Sequence, residues 1–153
     1  MMNQVRRAGH RLELRVAPGI QMDSYPGPLG QVLINFVNNA LLHAFEAPGG
    51  VMVLSAALLD AGHVRIEFAD DGRGIPPEHL SRIFDPFFTT RMGQGGTGLG
   101  LNIAYNIVTT LLQGTIRVES SPGQGAVFVI ELPLQPGQVA ADGRVDGRAV
   151  HPT

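Results

Sequence analysis

Asn35-Phe36-Val37-Asn38-Asn39-Ala40, Asp70-Asp71-Gly72-Arg73-Gly74-Ile75, Phe84-Asp85-Pro86-Phe87-Phe88-Thr89-Thr90-Arg91 and Gly93-Gln94-Gly95-Gly96-Thr97-Gly98-Leu99-Gly100-Leu101 are the blocks whose reading decides the fold. The first sits in a helical pattern. Leu29, Val32, Leu33, Phe36, Ala40 and Ala44 recur at three- and four-residue steps and predict a helix over 28–45 with an apolar stripe. Gln31, Asn35, Asn39 and His43 form a second row, one step of four apart. Such steps lie about 6 Å apart on one helical face. A polar row breaking an apolar helix faces something polar, or is a helix edge in solvent. The second block ends a strand, with Val64, Ile66 and Phe68 pointing inward and Asp70 at its mouth. A carboxylate there needs a partner, although Asp-Gly on its own is also a plain turn.

Working outward, Arg11 to Val16 alternates polar and apolar, which is strand periodicity with one buried face. A short second strand is expected over 20–24. Two strands, 51–59 and 64–69, flank Asp60-Ala61-Gly62-His63 and predict a hairpin. Pro76-Pro77 opens a short helix to Phe84. Residues 85–96 carry much glycine and no period, and read as a mobile loop. A long helix follows over 98–112 with Ala104, Ile107, Val108 and Leu111 inward, then a hairpin of 115–119 and 126–132. The sum is an α/β fold of the α+β kind, a two-layer sandwich with helices on one face of a mixed, mostly antiparallel sheet. Residues 1–10 read as the end of a linker, 11–133 as one domain, and 134–153, polar and without period, as a disordered tail.

Composition narrows the function. The chain has 153 residues, 44% hydrophobic and 16% charged, enough for one domain with a core. The net charge of −2 comes with no basic run, so a nucleic-acid partner is not indicated. Absent cysteine removes disulfides and thiolate zinc sites and suits a reducing cytosol. No apolar run reaches the ~18 residues of a membrane span. A cytoplasmic domain is expected, with any membrane anchor of the parent protein outside these residues. Gly93 to Gly98 matches G-x-G-x-x-G literally, but no parallel strand precedes it and no Walker-type Gly-Lys-Ser or Gly-Lys-Thr occurs. What remains is a loop entering a helix N-terminus, where free N–H groups and the helix dipole attract phosphate.

Taken in this order, the four blocks closely resemble the N, G1, F and G2 boxes of the ATP-binding catalytic domain of sensor histidine kinases. That is the Bergerat fold shared with DNA gyrase, heat-shock chaperones and mismatch-repair ATPases. The resemblance covers roughly residues 12–133. It implies binding of ATP with Mg²⁺ and transfer of the γ-phosphate to a histidine on a separate dimerisation domain, with a response regulator as downstream acceptor. It assigns Asn39 to the metal, one amide oxygen suiting a hard ion that keeps waters and phosphate oxygens. It assigns Asp70 to the exocyclic amine of adenine, with Asp71 as the variable position and Gly72, Gly74 and Ile75 beside the purine. Glycine at 72 and 74 would let the purine approach bare backbone.

The resemblance also implies roles further along. Thr89, Thr90, Gly96, Thr97, Gly98, Leu99 and Gly100 fall at the lid and phosphate positions. Arg91 stands where members carry a basic residue able to pair with the γ-phosphate, though a solvated surface arginine is an equal reading. Phe84, Phe87 and Phe88 are expected to anchor the lid by inserting into the core. Asn35 replaces the glutamate that serves as general base in gyrase-like and anti-sigma-factor kinase members. An amide takes no proton at neutral pH, so transfer to histidine is favoured over hydrolysis. The alternatives are an anti-sigma-factor-type serine kinase or ATPase of the same superfamily, or a nucleotide-binding module without catalysis. One departure stands out. Leu42 occupies the place of a basic phosphate contact, and His43 is either its substitute or a packing histidine. None of the histidines at 10, 43, 63, 79 or 151 has the setting of a phospho-acceptor, so this is the catalytic half.

Overall fold

The computed structural model describes residues 2–89 and 98–137. Its order is α1 (Met2–Arg7), β1 (Arg11–Val16), α2 (Pro26–His43), β2 (Val51–Asp60), β3 (His63–Asp70), α3 (Pro77–Leu80), α4 (Gly100–Asn106), a π-helical segment (Ile107–Leu111), β4 (Thr115–Ser120) and β5 (Ala126–Pro133). The five strands form one sheet in the order β1-β2-β3-β5-β4. Only β1 and β2 run parallel, joined through α2; the other pairs are antiparallel. The expected two-layer α/β sandwich with helices over a mixed sheet is what the chain forms.

The apolar stripe of α2 is the keystone of the core. Val32, Phe36 and Ala40 are buried, and Leu29, Leu33 and Ala44 pack at its margins. Phe36 stacks on Phe128 of β5 at 4.9 Å and on Phe68 of β3 at 6.0 Å. Val64, Ile66 and Phe68 point inward as the alternation of β3 requires. Burying each such side chain is worth about 1.5–3 kcal/mol. Proline at the first turn of α2 suits its start, since that N–H has no helical partner.

Several expectations are corrected. Residues 20–24 form no strand. Instead Ile20 and Met22 pack against the core from a loop, tied by Asp23 N–H to Leu134 O at 2.9 Å. In β1 only Leu12 packs on the core, while Leu14 and Val16 are 64% and 59% exposed. The strand is an edge of the sheet, and its second half is open to solvent. The short helix ends at Leu80, not Phe84, and passes into turns. The long second helix starts at Gly100 and changes to π geometry at Ile107. The wider turn shifts the phase by one residue, so Leu112, not Leu111, is fully buried. It closes with Leu112 N–H to Ile107 O at 2.9 Å and Gly114 N–H to Val108 O at 2.8 Å, with Gln113 at φ 59°.

Both flanks of the sheet are tied down. Val5 of α1 is buried in the core at 1% exposure. His10 accepts a hydrogen bond from Gly50 N–H at 3.0 Å and stacks on Phe45 at 4.3 Å. Beyond β5, Gly137 exchanges two hydrogen bonds with the Gln113 carboxamide, and Leu134 N–H reaches Gly62 O at 2.8 Å. Of the tail expected to be disordered over 134–153, residues 134–137 are held by these bonds and 138–153 lie outside the described residues.

Candidate functional site

A cleft of about 270 Å³ opens between α2, the turn after β3 and the segment before α4. Gly74, Ile75 and Pro76 form one side; Asn39 and His43 of α2 form another; Ile83, Phe88 and Leu101 close it. A second lobe of about 180 Å³ adjoins it, lined by Asn35, Asn38, Asn39, Gly98 and Gly100. Asn39, His43 and Thr89 border both lobes. Of the polar row read from α2, Asn35, Asn39 and His43 thus face a cavity, while Gln31 lies on the exposed side of the helix. Among the described residues the Asn39 carboxamide has no hydrogen-bond partner, so its oxygen is free to ligate.

The turn Asp70–Ile75 is built by protein contacts. The Asp70 carboxylate accepts from Gly72 N–H at 2.9 Å. Burial pushes its pKa up, opposed by backbone N–H groups of Gly72 and Ala126, with the Asp71 charge adding to the rise. Asp71 has a structural task, accepting from Val51 N–H at 2.8 Å and pinning the start of β2. Arg73 holds the turn to the end of α2. Its Nε donates to His43 O at 2.7 Å and its backbone N–H to Ala44 O at 2.9 Å, a cation at a helix C-terminus. Ile75 N–H donates to Ser120 Oγ at 2.8 Å, and Ser120 donates to Gly125 O at 2.6 Å. One hydroxyl therefore joins this turn to the β4–β5 hairpin.

The glycines earn a different explanation from the one expected. A Cβ on Gly72 would run into the Ala44 carbonyl. Gly74 has φ 77°, and a Cβ there would strike the Ser121 carbonyl. At φ 74°, Gly98 is packed on the Phe87 backbone, whose N–H donates to Gly98 O at 2.7 Å. At these positions the neighbouring chain already requires glycine. Gly100 differs, having open space where a side chain would begin.

Among the phenylalanines, Phe84 packs on Tyr105 at 5.5 Å and Phe128 at 6.2 Å. Phe88 meets His79 edge-on at 5.2 Å and lies under the Arg82 guanidinium at 4.7 Å. Phe87 overturns the expectation of three inserted rings. It is 66% exposed at φ 66°, because the tight pairing with Gly98 turns it outward.

Asn35 is buried at 8% exposure and satisfied at both ends. Gln31 Nε2 donates to its Oδ1 at 2.7 Å, and its Nδ2 donates to Gly100 O at 2.9 Å. Thr89 Oγ1 lies 3.4 Å from His43 Nε2. Asp70 and Gly72 sit at the base of the turn, outside the linings of both lobes, while Gly74, Ile75, Thr89, Gly98 and Gly100 border them. Leu99, also expected at the site, stands just before α4 and accepts from Ile103 N–H at 2.9 Å. Thr90, Arg91, Gly96 and Thr97 lie outside the described residues. Sequence reasoning missed Arg73, His79, Pro122 and Ser120. Arg73 stood inside a quoted block, but nothing local marked the others. Among the described residues no three His, Cys, Asp or Glu side chains could hold a metal together. An ion here would depend on Asn39 and on oxygens brought by its ligand. None of the helices described is long and apolar enough to cross a membrane.

Comparison with known proteins agrees with this geometry. Residues 25–136 match the family model described as histidine kinase-, DNA gyrase B- and HSP90-like ATPase. Sporulation kinase E of Bacillus subtilis is 41% identical over 110 residues, covering 72% of this chain and 14% of the relative. Sensor histidine kinase ZraS of Escherichia coli K12 is 43% identical over 119 residues, covering 76% and 23%. The chain thus spans less than a quarter of either relative. Among solved structures, the catalytic domain of histidine kinase ThkA superposes with TM-score 0.74 at 30% identity, covering 88% of this chain and 87% of that one. Full-length ShkA in complex with AMPPNP gives TM-score 0.74 at 34% identity, covering 86% and 27%.

Proposed function

Because the chain belongs to the histidine kinase-, DNA gyrase B- and HSP90-like ATPase family, we propose that it is the catalytic ATP-binding domain of a two-component sensor histidine kinase. It binds ATP with Mg²⁺ and passes the γ-phosphate to a histidine on a separate dimerisation domain; a response regulator then accepts it. The observation that carries this reading is the two-lobed cleft with the Asn39 carboxamide, partnerless among the described residues, bordering both lobes. The larger lobe is mostly apolar, with Ile75, Pro76, Ile83, Phe88 and Leu101 in its walls, and the smaller adds the amides of Asn35 and Asn38 with Gly98 and Gly100. That pairing suits a base at one end and a phosphate chain at the other. The structural relative named in complex with AMPPNP is consistent with it.

In this reading Asp70 accepts the exocyclic amine of adenine through the carboxylate edge not used by Gly72, and guanine, with a carbonyl there, is repelled. Gly74 and Ile75 contact the base, with Gly72 setting the turn. Asn39 supplies the one protein ligand to the metal, and phosphate oxygens and water complete the shell. Bound magnesium would neutralise charge on the phosphates. His43 and Thr89 border both lobes and are placed to donate to phosphate, His43 in the role that Leu42 leaves open. Gly98, Leu99 and Gly100 offer backbone N–H groups where α4 begins. Thr90, Arg91, Gly96 and Thr97 complete the phosphate contacts, with Arg91 on the γ-phosphate.

No carboxylate lines the smaller lobe among the described residues, so the acidic general base of the ATPase members has no counterpart among them. That favours an imidazole nucleophile, which needs no base to attack, over an ATPase or anti-sigma-factor-type serine kinase. The domain works in the cytosol, whether or not its parent is anchored in a membrane. The test mixes this chain with a histidine-bearing dimerisation fragment and γ-labelled ATP. Acid-labile, base-stable label on that fragment is expected. Tight ATP binding with no transfer to any histidine fragment would leave a nucleotide-binding module in its place.

A further inference from the structure

The hydrogen bonds across α2 have a fixed direction. The Gly100 carbonyl can only accept, so the Asn35 group facing it at 2.9 Å is the Nδ2 donor. That turns Asn35 Oδ1 the other way, to where Gln31 Nε2 donates to it at 2.7 Å. The Gly100 carbonyl thus sets the sense of the Asn35 carboxamide, and Gln31 braces it from the oxygen end. Gln31 lies on the exposed side of α2 and borders neither lobe of the cleft. Gly100 does border the smaller lobe, as Asn39 does.

We propose that Gln31 is a positioning residue for the phosphate end of ATP: by bracing the Asn35 carboxamide from its oxygen end it keeps Gly100, and the wall it belongs to, tied to α2 beside Asn39. This rests on the reading of the cleft as an ATP site. The adenine side has its own supports, Arg73 on the end of α2 and Ser120 on Ile75, so Gln31 acts on one half of the ligand only. The arrangement also restates why residue 35 is an amide. A carboxylate there would set acceptor against acceptor at Gly100.

Gln31→Met keeps the length and helix propensity of the side chain and removes the donor. Because the site is exposed, the fold survives, which thermal denaturation checks. Affinities for MgATP by calorimetry and for adenosine by ligand-observed NMR at millimolar concentration are measured on the whole chain. One neutral hydrogen bond corresponds to about three- to tenfold in affinity. MgATP should weaken by that factor and adenosine should not change. Gln31→Lys, which restores a donor, should recover MgATP affinity. Unchanged MgATP affinity in Gln31→Met, or equal losses for both ligands, would overturn the proposal while leaving the ATP site in place. Failure of the unaltered chain to bind MgATP would instead remove the functional reading and this inference with it.

Discussion

Asp70→Asn separates what the carboxylate does for folding from what it does for binding. In the free protein burial raises the pKa of Asp70. A group whose folded pKa is raised stabilises the fold below its unfolded value, and that contribution is lost as pH rises through the folded value. At neutral pH the ionised carboxylate is therefore a cost to the empty protein. The amide removes that cost, and its single oxygen still accepts from Gly72 N–H, now 2.9 Å from the carboxylate. Thermal stability without ligand should equal wild type near pH 3.5 and exceed it at pH 7. Binding moves the other way. With its oxygen held by the backbone, the amide turns its NH₂ toward the exocyclic amine of adenine, donor against donor. Losing a hydrogen bond to a charged group costs about 1.5–3 kcal/mol, or roughly ten- to 150-fold in affinity. Calorimetry with MgATP and pH-resolved denaturation read the two effects on the same samples. Unchanged affinity would refute the adenine contact. A variant less stable than wild type at pH 7 would refute the account of burial.

Other expected outcomes follow from single contacts. Gly74→Ala should lower stability by about 2–3 kcal/mol in urea titration, since a positive φ and a blocked Cβ act together; a loss under 0.5 kcal/mol would contradict the packing against Ser121. Asn35→Asp replaces the donor facing Gly100 with an acceptor and should cost about 1–3 kcal/mol of stability, read the same way. Asn39→Ala should abolish the gain in ATP affinity that Mg²⁺ confers while leaving the metal-free affinity within about twofold. A preserved magnesium effect in calorimetry would move the ligand to another residue.

What the sequence made legible was whatever depends on period and residue chemistry. The stripe of α2 was readable because Val32, Phe36 and Ala40 repeat at the helical step, and the hairpin of β2 and β3 because a turn sits between two alternating runs. The cleft-facing row was readable because Asn35 and Asn39 are costly on an apolar helix. What depends on contacts between distant segments was not. Gly74 against Ser121 and Gly98 against Phe87 are close approaches that no local pattern announces, so conformational freedom was credited to the ligand. The π turn at Ile107 changes the phase without changing composition, which hid Leu112. Ile20 and Met22 look like strand residues because they are apolar and pack partly buried against the core, yet no neighbouring strand edge pairs with them.

Ser120 gives one hydroxyl to two loops, accepting from Ile75 and donating to Gly125. Together with Arg73 and Asp71 it sets the shape of the Asp70–Ile75 turn with no ligand bound. Such a mould costs little entropy to fill. Amide exchange over 70–75 should hardly slow on adenosine binding, and the tightening that accompanies a full triphosphate should be felt around Gly100 instead.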